Sequence, residues 1–411
     1  MSLEPLLFLA HRLPYPPNKG DKVRSHHFLK HLARRYRVFL GTFVDDPADW
    51  QHVPAARALC EDLHVQPLRR WSAPASGAAA LLSGEPLTLP YFRSRALLHW
   101  VRRVVERERI SRAFVFSSAM AQYAIGLPGL RSVVDFVDMD SAKWADYASR
   151  RLWPASALYR REARRLLDYE KTVAARAAAS VFVTDEETRR FLAEAPDCTP
   201  RVSTIRNGVD SDYFSPAQQF ASPFPAGERA VVFTGSMDYW PNMDAAVWFV
   251  REVMPLLRAQ DDRLRFYIVG MNPGVAVRAL AEHAGTIITG RVADVRPYLQ
   301  HAKVVVAPLR VARGIQNKVL EAMAMARPVV ASATCATALS ARAGVDLEVA
   351  STGAEFAAKV RALIDSPDAR AMGARARTRV LGDYVWPASF AQLEALLEGE
   401  SRVAAAEVLA R

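Results

Sequence analysis

Residues 308–333 constrain the fold of this chain more than any other stretch of the sequence. They follow the apolar β-branched run 304–306, which predicts a buried strand, and they contain an apolar-periodic segment from about residue 315 to 326. Pro328 stops that segment, and a second apolar strand begins at Val329. Strand, helix and strand in this order predict a right-handed crossover between two parallel strands.

The start of the predicted helix has the features of a ligand site, because parallel sheets bind ligands at the carboxyl ends of strands. Gly314, followed by Ile315, allows the backbone to approach a ligand, and the free N–H groups at the helix start favour an anion. Lys318 and Glu321 are three residues apart and therefore share one helix face. The cation suits a diphosphate, and the carboxylate suits the vicinal hydroxyls of a ribose.

Length and composition are those of a two-domain globular protein. The chain has 411 residues, of which 51% are hydrophobic, and no apolar run is long enough to predict a transmembrane helix. Glu4 and Pro5 interrupt the first apolar run, which predicts a strand and not a signal peptide. Cys60, Cys198 and Cys335 are widely spaced and form no metal or disulfide pattern, so we expect a cytoplasmic protein.

The net charge of +11 has several interpretations. Nucleic acid is one partner class, and an anionic membrane surface or a phosphorylated substrate is another. No nucleic-acid-binding motif occurs, and aromatic residues do not interleave with the basic runs, so we expect no nucleic acid. An arginine bias of a GC-rich genome would raise the charge in the same way.

The basic segment 93–112 is predicted to be a helix with an apolar stripe. This helix either lies on a membrane surface or covers a sheet with its charged face in solvent. Its stripe consists of Leu97, Leu98, Val101, Val104 and Val105.

Two features of the first half predict a second ligand-binding edge. Residues 6–10 form an apolar strand, and a proline-rich loop then ends at Gly20 before a predicted helix, which is again an anion-binding arrangement. Further on, the predicted strand 133–138 is followed by the acids Asp138 and Asp140. Such acids at a strand end serve either a ligand or the capping of the next helix.

Taken together, these motifs resemble the retaining glycosyltransferases of the GT-B fold, family four. The family carries two glutamates separated by seven residues, with a leucine-glutamate-alanine-methionine-alanine motif at the second. This motif matches Leu320 to Ala324, but the first glutamate falls on Arg313. The segments 207–210 and 290–299 also match the family pattern. A narrower similarity is to sugar transferases of the exosortase/PEP-CTERM exopolysaccharide clusters.

The resemblance implies further site residues in this sequence. The loop at Gly235 and Ser236 lies where the family presents an arginine and a lysine to the diphosphate. Arg291 and Val292 lie where the family backbone contacts the nucleotide base. Arg313, together with Lys318, is expected to replace the missing cations at the diphosphate.

In the first half, the resemblance changes the expected role of the acids. Val137 stands where many family members have a histidine that contacts the donor sugar. Asp138 and Asp140 therefore become candidates for binding the acceptor or for taking its proton. Gly20 corresponds to the family's first loop, next to the donor phosphates and the acceptor.

The implied fold is α/β, a GT-B architecture of two Rossmann-like domains with parallel sheets that face a central cleft. The expected domains are 1–214 for the acceptor, 215–383 for the nucleotide sugar, and a terminal segment 384–411 that crosses back to the first domain. The implied reaction is hexosyl transfer with retention from a UDP- or GDP-linked sugar to a glycan or lipid-linked acceptor, with no metal or other cofactor. Peripheral contact with an anionic membrane on the inner face of the cytoplasmic membrane is also expected. A nucleotide-sugar 2-epimerase and a non-catalytic nucleotide-sugar-binding subunit are the alternatives.

Overall fold

The chain divides into two compact units. In a computed structural model, residues 3–17, 20–68, 84–149, 151–312 and 314–399 are described. Unit 1 comprises Met1–Arg206 with Pro387–Arg411, and unit 2 comprises Asn207–Trp386. The sequence analysis places the domain boundaries after residues 214 and 383.

Unit 1 is built on a parallel sheet, and seven strands of this sheet lie in the described residues in the order β3-β2-β1-β4-β5-β6-β7. The sequences of these strands are largely apolar because helices cover both faces of such a sheet. The strands are β1 Glu4–Ala10, β2 Tyr36–Val44, β3 Asp62–Pro67, β4 Arg112–Phe116, β5 Arg131–Val137, β6 Ala179–Phe182 and β7 Val202–Thr204.

Helices connect the strands of unit 1. The α-helices are Gly20–Leu32, Val53–Arg57, Thr88–Tyr91, Arg95–Glu108, Asp140–Ser149, Ala155–Arg176, Asp185–Glu194 and, after unit 2, Trp386–Glu398, whose first residue belongs to unit 2. Short 3-10 helices occupy Pro47–His52, Ser118–Tyr123 and Pro196–Arg201.

The apolar stripe predicted in segment 93–112 lies in the core of unit 1. Leu97, Val101 and Val104 are fully or almost fully buried, and the other two stripe residues pack against the same core. The helix is also shorter than predicted, because Arg109 adopts a left-handed conformation at its end and Arg112 already starts β4. The stripe therefore covers the sheet and is not available to a membrane.

The end of the chain belongs to unit 1. The helix Trp386–Glu398 is separated from the preceding helix at Val385, close to the break predicted at Trp386 and Pro387. Within unit 1, the Ser389 hydroxyl donates to the Arg206 carbonyl, and the Phe390 ring stacks on His31 at a centroid distance of 4.0 Å.

Unit 2 contains the second parallel sheet, with six strands in the described residues in the order β10-β9-β8-β11-β12-β13. The crossover predicted around residues 308–333 is present, since β11 pairs in parallel with β12. The strands are β8 Arg229–Thr234, β9 Leu264–Val269, β10 Thr286–Gly290, β11 Val304–Ala307, β12 Val329–Ser332 and β13 Glu348–Ala350.

The helices of unit 2 pack on both faces of this sheet. They are Trp240–Trp248, Met254–Arg258, Val275–Arg278, Arg296–His301, Asn317–Ala324, Ala333–Ala336, Gly353–Asp365 and Asp368–Asp383, with a π-helix at Phe249–Val253 and a 3-10 helix at Ala279–Glu282. Ala245, Ala246, Phe249 and Val250 are fully or almost fully buried, as predicted for the helix after β8.

None of the helices in the described part of the chain combines the length and the apolar character that crossing a bilayer requires.

Candidate functional site

The loop after β8 forms one wall of the candidate site in unit 2. Gly235 is tightly enclosed, because a Cβ atom at this position would lie 2.7 Å from Asn242 Nδ2 and 3.2 Å from Lys318 Nζ. The Asn242 side chain donates to the Ser236 carbonyl at 2.9 Å, and the Ser236 hydroxyl donates to Asp238 at 2.5 Å. The loop is therefore held in one conformation by its own side chains.

The helix after β11 supplies the charged groups of this site. Gly314 has a φ of 62°, a left-handed conformation that favours glycine, and the helix Asn317–Ala324 follows. No side chain caps this helix at Gln316, so its first N–H groups keep their anion-binding capacity. The helix begins two residues later than the segment predicted from Ile315, which is buried.

Lys318 joins the helix to the loop after β8. Its ammonium donates to Asn242 Oδ1 at 2.5 Å and lies 4.9 Å from the centre of the Phe233 ring. Burial lowers the pKa of Lys318 to about 8, although Cys335 and Glu321 oppose the shift. No carboxylate lies within ion-pair distance of this ammonium in the described ranges, so its charge is not neutralised by a salt bridge.

Glu321 is the second ionisable group of the site. Burial raises the pKa of Glu321 to about 7, and the nearby Lys318 charge counteracts part of this rise. Its carboxylate has no hydrogen-bond partner among the residues that the structure describes. A half-buried carboxylate without partners is costly unless a ligand supplies donors. We call Gly235, Ser236, Asn242, Lys318 and Glu321 the Lys318 site.

The other residues predicted for nucleotide binding lie apart from these contacts or outside the described part. Arg291 is exposed after Gly290, at the end of β10, and Val292 packs against the core of unit 2. Within the described part of unit 2, no hydrogen bond or ion pair joins Arg291 to the Lys318 site. Arg313 lies outside the described residues.

Unit 1 brings the two predicted acids together around a lysine. Lys143 Nζ lies 3.0 Å from a carboxylate oxygen of Asp138 and 3.0 Å from one of Asp140. Burial would lower the pKa of Lys143, but the Asp140 and Asp138 carboxylates outweigh it and raise that pKa. Both carboxylates are therefore paired with a cation. Their role in binding the acceptor or in taking its proton stays a prediction.

Glu170 completes this cluster from the neighbouring helix. It accepts hydrogen bonds from the backbone N–H of Ser141 at 3.2 Å and from the Ser141 hydroxyl at 2.5 Å. Burial, with a smaller contribution from the Asp140 charge, raises the pKa of Glu170 to about 8. We call Asp138, Asp140, Lys143 and Glu170 the Lys143 site.

The end of β5 is strained beside this cluster. Val137 has a φ of 65°, which is rare for a β-branched residue, and its N–H donates to Asp135 at 3.0 Å. Asp135 is itself fully buried and is bound by the Arg24 guanidinium at 2.7 Å. This ion pair fixes the helix Gly20–Leu32. Gly20, which the sequence predicts as a site residue, is the first residue of this helix.

Sequence reasoning missed Lys143, Arg24 and Glu170. The spacing of three residues between Asp140 and Lys143, at the start of a predicted helix, is the one local signal for the Lys143 pairing. Arg24 and Asp135 are separated by 111 residues, and no local pattern indicates their contact.

Comparisons with known proteins agree with these two units. Residues 228–366, all within unit 2, match the family model described as "Glycosyl transferases group 1". This segment contains the whole Lys318 site. The sequence of the chain has no significant match among curated proteins.

Solved structures show the same fold over nearly the whole chain. The Anabaena protein HepE, solved with UDP and glucose, is 14% identical, and the match covers 96% of this chain and 99% of that one at a TM-score of 0.67. Sucrose-phosphate synthase from Thermosynechococcus elongatus is 18% identical, with coverages of 96% and 98% and a TM-score of 0.68. WaaG, a glycosyltransferase involved in lipopolysaccharide biosynthesis, is 15% identical, with coverages of 95% and 99% and a TM-score of 0.62. The predicted fold class, α/β with two Rossmann-like parallel-sheet domains as in GT-B glycosyltransferases, is confirmed.

Proposed function

We propose that this protein is a glycosyltransferase that moves a hexosyl group from a nucleotide sugar to a glycan or lipid-linked acceptor, with retention at the anomeric carbon. The observation that carries the proposal is the Lys318 site. Within the segment that matches the family model, it places Lys318 and Glu321 on one helix face, and among the described residues the ammonium has no salt bridge and the carboxylate has no hydrogen-bond partner. The nucleotide found with HepE makes UDP the first donor nucleotide to test.

In this proposal, Lys318 and the N–H groups at the start of its helix bind the diphosphate. Glu321 accepts hydrogen bonds from the ribose hydroxyls, and Arg291 and Val292 lie against the base. As the sugar–phosphate bond breaks, negative charge develops on the leaving diphosphate, and fixed donors and cations stabilise it. The acceptor oxygen bonds to the anomeric carbon on the face that the diphosphate leaves, and the leaving diphosphate accepts the proton of the acceptor hydroxyl, so this proposed step uses neither a carboxylate nucleophile nor a metal ion.

Arg313 is proposed to share the diphosphate with Lys318, because the loop at Ser236 lacks the family's arginine and lysine. Arg313→Glu places a negative charge beside the phosphates, and we expect turnover to fall by at least about tenfold, or 1.4 kcal/mol of barrier. If the position has merely drifted from the family's glutamate, the same substitution leaves turnover unchanged or raises it.

The turnover assay separates the proposal from two alternatives. Release of UDP from UDP-hexose that depends on an added lipid or glycan acceptor supports transfer. Slow UDP release without any acceptor indicates a nucleotide-sugar 2-epimerase. Nucleotide binding without turnover indicates a binding subunit, for which the specific observation is Val137 in place of the family's histidine. A thermal-shift series with UDP, GDP, ADP and their sugars selects the donor for the assay.

The expected cellular context is exopolysaccharide or cell-envelope glycan synthesis in the cytoplasm, with peripheral contact to the inner face of the cytoplasmic membrane. The similarity of residues 133–144 to the transferases of exosortase/PEP-CTERM clusters supports the pathway. The net charge of +11 supports the membrane contact. Fractionation of the native host, followed by detection of the protein in membrane and supernatant, tests the location.

A further inference from the structure

Two adjacent apolar side chains protrude from unit 1. Leu152 is 89% exposed and Trp153 is 81% exposed, the largest values for bulky apolar side chains in the described ranges. They lie in the connection between the helices Asp140–Ser149 and Ala155–Arg176. Tyr147 and Leu158, on the two helices beside the connection, are also exposed. We call Tyr147, Leu152, Trp153 and Leu158 the hairpin tip.

Leu152 and Trp153 take no part in the ring contacts between the two helices in the described residues, whereas Tyr147 packs edge-on against Trp144 at a centroid distance of 6.0 Å. Below the tip, Trp144 packs edge-on against Tyr159 at a centroid distance of 5.2 Å, and Ala148 and Ser156 are buried. The Glu162 carboxylate anchors the second helix, because it accepts hydrogen bonds from the backbone N–H groups of residues 87 and 88. The helices are thus held together without Leu152 and Trp153, whose exposure costs free energy in water.

Positive charge surrounds the hairpin tip. The described residues 151–165 contain five arginines and a single acid, Glu162, which is buried and hydrogen-bonded. No ion-pair partner is found in the described part of the chain for the exposed arginines, which are Arg151, Arg160, Arg164 and Arg165.

The tip projects beyond the carboxyl edge of the sheet in unit 1. Glu170 is level with that edge, because it binds Ser141, which follows the end of β5. Tyr169 is also level with it, since its hydroxyl donates to the carbonyl of Ser118, just after β4. The helix begins at Ala155, so its first turn lies about 20 Å from Glu170 along the helix axis at a rise of 1.5 Å per residue.

We propose that the hairpin tip docks unit 1 on anionic lipid bilayers. Tryptophan and tyrosine side chains partition into the membrane–water interface, and arginines nearby are attracted to anionic headgroups. Leu152 and Trp153 enter the interfacial layer, and Arg151 and Arg160, the arginines nearest to them along the chain, contact lipid phosphates. A lipid surface fits better than a protein partner, because the most exposed bulky apolar side chains of the described ranges stand next to arginines that have no ion-pair partner there.

When unit 1 docks in this way, its carboxyl edge and the Lys143 site face the bilayer. A lipid-borne acceptor would then be presented to that edge from the membrane, a consequence that rests on the proposed glycosyl transfer. The docking itself does not depend on that function, and it is measured without a sugar or a nucleotide.

The test is sedimentation of the full chain with vesicles of phosphatidylcholine alone or mixed with phosphatidylglycerol, at low and high salt. We expect binding to the mixed vesicles that weakens at high salt. The double variant Leu152→Ser/Trp153→Ser should lose at least about tenfold in vesicle affinity. Val275→Ser is the matched control, because Val275 is an exposed aliphatic residue of unit 2. This variant should bind the vesicles as the parent does. Thermal unfolding and the UDP-induced thermal shift, unchanged in the double variant, show that its fold and nucleotide binding are intact.

Three results would overturn the docking proposal. The parent chain does not bind the mixed vesicles, or it binds neutral and mixed vesicles equally, or the double variant binds as strongly as the parent. Self-association that is lost in the double variant, without vesicle binding, assigns the tip to a second copy of the chain and equally overturns it. Vesicle binding without any nucleotide binding or turnover leaves the docking in place and contradicts only the proposed function.

Discussion

The Lys143 site of unit 1 and the Lys318 site of unit 2 both place a lysine just after the carboxyl end of a strand in a parallel sheet. In unit 1, Lys143 contacts two carboxylates at 3.0 Å each. In unit 2, Lys318 donates to the neutral amide oxygen of Asn242, and Glu321 has no hydrogen-bond partner in the described ranges. The same residue type is neutralised by two carboxylates in one unit and has no salt bridge within the described part of the other.

The two lysines differ in the direction of their pKa shifts. Burial alone would lower both, but the Asp140 and Asp138 carboxylates raise the pKa of Lys143, whereas burial prevails at Lys318 and lowers its pKa to about 8. A half-buried charge without an opposite charge is destabilising, and such groups concentrate at functional sites. We therefore expect that Lys143 stabilises the fold of unit 1, and that the charge of Lys318 serves ligand binding.

The largest expected effect on stability is that of Lys143→Met. It leaves the Asp138 and Asp140 carboxylates without their cation, and removing the cation from a half-buried pair costs about 2 kcal/mol, between the values for an exposed and a fully buried pair. Denaturant unfolding measures this loss. Lys171→Met is the control, because Lys171 lies 3.6 Å from Glu194 in an exposed pair and should cost less than about 1 kcal/mol. Equal stability losses from the two substitutions would mean that the Lys143 pairs contribute no more than an exposed ion pair.

Lys318→Met is expected to have the opposite profile. It removes the cation proposed for the diphosphate, so we expect affinity for the preferred nucleotide to fall by about a hundredfold, which corresponds to about 2.7 kcal/mol. Stability should stay the same or rise, because a half-buried charge without a salt bridge is replaced by an apolar side chain.

Calorimetric titration with the nucleotide and thermal unfolding of the same samples give both quantities for Lys318→Met. The control is Lys359→Met, which breaks an ion pair with Glu348 elsewhere in unit 2 and should leave nucleotide affinity unchanged. Loss of stability with unchanged affinity would make Lys318 a structural residue like Lys143.

Glu321→Ala should weaken nucleotide binding by about tenfold to a hundredfold, since a hydrogen bond to a charged group contributes roughly 1.5–3 kcal/mol. Calorimetric titration measures this loss of affinity. Repeating the titration with the deoxyribose form of the nucleotide tests whether the loss comes from the ribose contact. If Glu321 binds the ribose, the parent should lose affinity for the deoxy form while the variant barely distinguishes the two. Glu282→Ala, at an exposed position of unit 2, is the control. An affinity that Glu321→Ala does not change would exclude the ribose contact.

The local sequence pattern was sufficient to predict features that depend only on residues close together in the chain. The spacing of Lys318 and Glu321 places them on one helix face, and the structure shows the two charges interacting there. The apolar run 304–306 was likewise sufficient for the strand Val304–Ala307, since a strand covered on both faces is apolar at every position.

Contacts between distant residues were not predictable in this way. The Arg24–Asp135 pair joins a helix to a strand 111 residues away, and only the folded sheet brings them together. The helix predicted for 93–112 ends early because Arg109 adopts a left-handed conformation, which arginine propensity does not indicate. The hairpin tip was missed because Leu152 and Trp153 resemble core residues until the packing around them is known.

The smallest effect, and the one that depends on the pKa contrast itself, is the pH dependence of nucleotide binding. In the proposed site the diphosphate would bind the protonated form of Lys318, whose pKa burial lowers to about 8. Above that pH, binding requires uptake of a proton, so affinity should fall by up to about tenfold per pH unit. Titration of the nucleotide sugar from about pH 8 to about pH 9 measures the slope, since its diphosphate keeps a constant charge in this range and Glu321, with a pKa of about 7, is already largely ionised. In Lys318→Met the slope should disappear, while Lys359→Met should retain it. A parent affinity that is constant across the range would mean that Lys318 does not meet the diphosphate, and that its charge, like that of Lys143, serves the protein alone.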